Sequence, residues 1–88
     1  MIKTIIVQMV IDENNNSYEI GNRVRVKMKP RNIDRPDLAN EHIGYIDDIK
    51  EEAIYVATAV GIRCLYVEHI DKIRLAATDE NFDNQWDF

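Results

Sequence analysis

The sequence predicts a small, mainly β domain: a barrel of five to six short strands with an N-terminal hairpin extension and a single helical turn. Three observations carry this. In the run from Arg23 to Arg31, five basic side chains (Arg23, Arg25, Lys27, Lys29 and Arg31) occupy every second position, with Val24, Val26 and Met28 between. Side chains alternate faces along a strand, so the cations would share one face and the apolar residues the other, whereas a helix would scatter both sets. Short β-branched runs recur between clusters of Asn, Asp, Gly and Pro, the spacing of strands and turns. At 88 residues the chain has room for one core, burying roughly 60–65% of its unfolded surface.

Taken in order, IKTIIVQMVI at 2–11 reads as one long strand, with Ile5, Val7, Met9 and Ile11 in one register and Ile6 and Val10 in the other. DENNN at 12–16 is a turn, because Asn and Asp bond to their own backbone and tolerate left-handed dihedrals. Ser17 to Ile20 returns as the second arm of a hairpin, and Gly21-Asn22 bends the chain into the basic strand. That strand ends near Pro30, which cannot donate to a ladder. Residues 30–42 form an irregular excursion closed by a helical turn around Asp37 to Asn40. Gly44 opens GYIDDI as the close-approach point of a curved strand, Lys50 to Glu52 is a tight turn, and AIYVATA follows. Gly61 bends the chain into IRCLYVEHI, EHIDKI suits one helical turn with Ile70 and Ile73 inward, and Ile73 to Ala76 is a short last strand. The domain is expected over 1–77. Residues 78–88, TDENFDNQWDF, are an acidic, aromatic tail that should fray or dock only through its aromatics.

Strand-loop-strand segments GNRVRVKM, HIGYIDDI, AIYVATA and GIRCLYVEHIDKIRLA, over about residues 20–76, resemble the SH3-like small barrels, KOW-type or Sm-like. The resemblance implies a leading strand, a loop, a G-x-I-x-x-I strand, its hairpin partner, and a last strand after a short helical turn. Closure would also remove the exposed sheet edges. The chain is similar, too, to the short domains of unassigned function found in phages and mobile elements.

Net charge is −5 and unevenly placed: residues 1–36 hold seven Lys/Arg against four Asp/Glu, and residues 37–88 hold four against twelve. The overall sign disfavours a general nucleic-acid binder, while the asymmetry allows a local basic patch or head-to-tail pairing of copies. The single Cys64 excludes an internal disulfide and a cysteine-based metal cluster, and its apolar neighbours suggest a buried thiol in a reducing compartment. Met1 to Ile11 lacks the cleavage pattern of a signal peptide and no apolar run is long enough to span a bilayer, so the expected setting is cytoplasmic.

Little in the chain points to catalysis. Asp47-Asp48, Glu51-Glu52, Glu68 and Asp71 are the acidic candidates, but adjacent acids on a strand face opposite ways, and a solvated hairpin is the simpler account. His42, His69 and Cys64 could in principle make a Cys-His pair or a zinc site, yet structural histidines and an inert thiol account for them better. No glycine-rich loop cradles phosphate. We therefore expect no catalytic residue, metal, cofactor or small-molecule substrate, and no membrane. The expected role is a non-enzymatic structural or protein-interaction module in a larger assembly, with a protein partner, self or heterologous. Arg23, Arg25, Lys27, Lys29 and Arg31 would meet a polyanion or an acidic partner, and Phe82, Trp86 and Phe88 would dock on a groove. The alternative is a nucleic-acid-associated module using the same basic strand, although it lacks the interleaved aromatics that stack bases. The bland reading of that strand is a solvated face paired with carboxylates such as Glu19, Asp47 or Glu68.

Overall fold

The computed structural model of the chain describes residues 2–5, 9–30 and 41–81. Among these residues eight strands form two sheets: β1 (Lys3–Ile5), β2 (Met9–Ile11), β3 (Ser17–Glu19), β4 (Arg23–Met28), β5 (Glu41–Ile49), β6 (Ala53–Thr58), β7 (Gly61–Tyr66) and β8 (Ile70–Leu75). The first three make an antiparallel sheet in chain order, and the other five a sheet of order β7-β6-β5-β4-β8. A 3-10 turn, Val67–His69, joins β7 to β8.

The fold is thus small and mainly β, as expected, with three corrections. Among the described residues the five-stranded sheet does not close: β7 and β8 are its two ends. The segment 2–11 is also not one strand, since β1 and β2 pair antiparallel with Lys3 opposite Ile11 and Ile5 opposite Met9. Between Ile5 and Met9 the sequence has no Gly, Pro or Asn of the kind that announces a turn, which is why 2–11 reads as one strand. The helical turn also sits earlier than EHIDKI suggests, although Ile70 and Ile73 do face inward. The helical turn expected around Asp37 to Asn40 lies outside the described residues.

Local chemistry explains the rest. Asp12 Oδ1 accepts the Asn14 and Asn16 amides at 2.9 and 3.0 Å, which closes the turn between β2 and β3 and holds Asn15 at φ +64°. Gly21 and Gly61, at φ +94° and +119°, make bends that side chains resist. At Gly44 the requirement is space: an added Cβ would lie inside contact distance of the Ala57 carbonyl, 2.8 Å from its carbon. In β5 an extra residue, Asp47, enters between the Ile46–Val56 and Asp48–Tyr55 pairs. This bulge shifts the inward set from Ile46 to Ile49, leaving Asp47 exposed and Asp48 half-buried. One core unites the sheets, with Val10 and Tyr18 packed among Val24, Val26, Ile54, Val56 and Ile73.

Candidate functional site

The basic strand β4 lies inside the sheet, between β5 and β8. Its cations face away from the core, opposite Tyr45, Ile43 and Glu41 of β5 and beside Arg74 and Lys72 of β8. Arg25 is directly across from Arg74, and Lys27 from Lys72. Such like-charged pairs repel unless a carboxylate joins them.

Glu80 is that carboxylate. Its oxygens lie 2.8 and 2.6 Å from the two terminal nitrogens of Arg74, and one of them 3.1 Å from Arg25 Nη1. Glu41 accepts from Arg25 Nε at 3.1 Å. Arg23 donates to the Ala77 and Glu80 carbonyls, so backbone and side chain of residues 77–80 are both held. The consequence is burial: Arg25 is 1% exposed and the Glu80 side chain 8%. Hydrogen bonding by Arg74, and then Arg25, holds the Glu80 carboxyl below the usual carboxylate range despite that burial.

The row of cations is therefore not a continuous exposed stripe. Arg25 is buried, Arg23 and Lys27 are half-buried, and Lys29 is exposed. Among the described residues the carboxylates that meet Arg25 are Glu41 and Glu80, not Glu19, Asp47 or Glu68. Within residues 78–81, Glu80 docks through its charge rather than through an aromatic. Arg31, Phe82, Trp86 and Phe88 lie outside the described residues.

The opposite end of the same outer face is apolar. Tyr45 pairs with Ala57 and Ala57 with Ile62; Tyr55 pairs with Cys64, and Ala53 with Tyr66. Tyr45 and Tyr66 are each 50% exposed and Ile62 58%, with Val60 at the hairpin tip 75%. Cys64 is exposed, contrary to the buried thiol its neighbours suggested, because it faces outward on an edge strand where nothing packs over it among the described residues. Its hydrogen bond with Tyr55 raises that phenol above the usual tyrosine range.

Where β3, β8 and the 12–16 turn meet, Asp12, Tyr18, Asp71, Lys72 and Arg74 line a cleft of about 200 Å³. That is below the roughly 300 Å³ at which small-molecule sites begin. The Tyr18 hydroxyl lies 2.8 Å from Asp12 Oδ2 and 3.1 Å from the Ile73 carbonyl, its one proton shared between the turn of its own sheet and β8 of the other. Desolvation and the neighbouring carboxylate both raise the Tyr18 pKa. Burial opposes ionisation of Asp12 as well, but the bonds from Tyr18 and Asn16 outweigh it and lower its pKa.

The histidines are separate. His42 on β5 is held below its usual pKa by desolvation and by the Arg63 charge. His69 sits 3.5 Å from Glu68 and edge-on to Tyr66. Among the described residues no three of His, Cys, Asp and Glu are grouped to hold a metal ion, and no helix is long and apolar enough to cross a membrane. Set against family models, curated proteins and solved structures, the chain matches none of them.

Proposed function

We propose that this chain is a non-enzymatic protein-interaction module of a cytoplasmic assembly, and that it makes contact through the outer face of β7 and the edge that no described strand pairs. The observation that carries the reading is a division of that face. The arginines at one end are turned onto the chain's own Glu41 and Glu80, while Ile62, Cys64 and Tyr66 at the other end are exposed. An apolar surface left uncovered beside an unpaired strand edge is the usual ground for protein contact. Polyanion binding through β4 has less to work with, since internal carboxylates already hold Arg25.

The SH3-like reading of the fold draws support from the strand order. A meander β4-β5-β6-β7, a 3-10 turn, and a last strand returning to the far side of β4 is the path expected from that resemblance.

Thiol accessibility tests the functional reading. The Cys64 alkylation rate is compared between dilute purified protein and extract of the cells that make it. Contact through β7 predicts slower alkylation in the extract, or in the purified protein as its concentration rises toward about 1 mM, with normal rates restored by Ile62→Lys. Equal rates in every setting, together with saturable RNA or DNA binding that Lys27→Glu and Lys29→Glu remove, would replace this reading by the nucleic-acid one.

A further inference from the structure

Hydrogen-bonding direction along β7 follows from its register. The Val67 amide donates to the Glu52 carbonyl at 2.9 Å, one step beyond the Ala53–Tyr66 pair. Bonded and non-bonded pairs alternate in an antiparallel ladder. The pairs Ile54–Leu65 and Val56–Arg63 are then the bonded ones, and Ile62, Cys64 and Tyr66 turn their N–H and C=O groups to the edge, where no strand pairs among the described residues. The same three residues carry their side chains on the outer face.

We propose that a second copy of this chain pairs with β7 edge to edge, antiparallel, with Cys64 at the two-fold axis. The proposal rests on the interaction reading above and names its partner. A two-fold axis normal to the sheet keeps the outer face of both copies on one side, so facing residues share parity. Centring on Cys64 sets Ile62 against Tyr66 of the other copy and Cys64 against Cys64, matching every outward donor on the strand with an acceptor. Centring on Arg63 would instead oppose two guanidinium groups at the close, non-bonded spacing, which repels.

Charge selects the place as well as the register. Two copies at −5 each repel over most of their surfaces. From Ala53 to Val67, however, Arg63 is the only charged residue. This hairpin is where like-charged copies can approach, and its edge has no Lys, Glu or Pro of the kind that blocks edge pairing. Pairing of one strand buries less than the roughly 1,200 Å² of a standard interface, so the dimer is a weak one.

The test uses the full-length protein, by sedimentation velocity up to about 1 mM, where weak specific contacts populate. A short bifunctional methanethiosulfonate then reads the register under reducing-free conditions. The expected result is a mass rising from one chain to two with concentration. Cross-linking through Cys64 should be roughly tenfold faster than in a Cys64→Ser, Arg63→Cys chain, as held proximity requires. Ile62→Lys should abolish both while leaving thermal unfolding of the dilute protein unchanged. A mixture of Ile62→Cys, Cys64→Ser chains with Cys64→Ser, Tyr66→Cys chains should cross-link as heterodimers. A monomer at every concentration overturns the proposal, and so does a dimer whose cysteines at 63 and 64 cross-link equally well. If the purified chain stays monomeric while Cys64 is shielded in extract, self-pairing fails and the interaction reading stands with another protein. If Cys64 is unshielded there as well, both fail.

Discussion

The two edge strands of the five-stranded sheet, β7 and β8, have the same length of six residues and opposite treatment. β8 carries Asp71, Lys72 and Arg74 in six residues, and other parts of the chain come to it. Tyr18 bonds to the Ile73 carbonyl, the 12–16 turn stands across a cleft from it, and Glu80 locks onto Arg74. β7 has one charge, an exposed outward face, and no strand on its second side among the described residues. A chain that guards one edge with charge and covering segments has the means to guard the other. The proposed contact through β7 requires an edge left in this state, whereas β8 is built into the structural frame.

The contrast can be broken most forcefully at the guarded side. Glu80→Ala leaves Arg25 buried beside Arg74 without its bridge and should cost about 3 kcal/mol, since removing one partner of a buried ion pair strands the other. Urea denaturation measures this, and a loss near zero would mean that residues 77–80 do not hold the outer face. Acid should act through the same group. A carboxyl whose pKa is depressed by folding contributes stability above its unfolded value, and that contribution disappears as pH falls through the folded pKa. Glu80 and Asp12 both have lowered pKa values, so stability should fall as pH drops below about 4.5, and Glu80→Ala should flatten that fall.

Gly44→Ala should cost about 2 kcal/mol by driving a methyl group into the Ala57 carbonyl, visible as a lower midpoint with unchanged slope. Tyr18→Phe, which removes the hydroxyl between Asp12 and Ile73, should cost about 1 kcal/mol. At the unguarded edge, Ile62→Lys or Tyr66→Lys should shift stability by no more than about 0.5 kcal/mol, as expected of exposed positions. A large loss there would show that β7 belongs to the frame after all.

Much of the frame was legible because it depends on neighbours in sequence. Alternation from Arg23 to Met28 reads directly as β4, whose two faces carry the residues assigned to them. Gly21 and Gly61 announce bends that need positive φ, and Gly44 a backbone contact that no Cβ permits. The DENNN turn follows from the reach of the Asp12 side chain to amides two and four residues on. The candidate site was less legible, because its partners are remote. Glu80 and Arg25 lie 55 positions apart, and no local pattern marks which acid will bury which base. Burial of one face of β4 by a segment that looked like a charged tail changes a solvated row into an internal ion-pair cluster.

The period of side-chain hydrophobicity and the short reach of turn residues were enough to specify strands, bends and a mainly β domain, because those preferences act within a few bonds. Which strands stand at the edges is a different kind of fact. The reversal between β1 and β2, the outward exposure of Cys64 and the covering of Arg25 each depend on which segments come to lie beside them. Hydrogen-bond ladders and ion pairs accept any partner of suitable geometry, so the choice among partners is made by the packing of the whole chain.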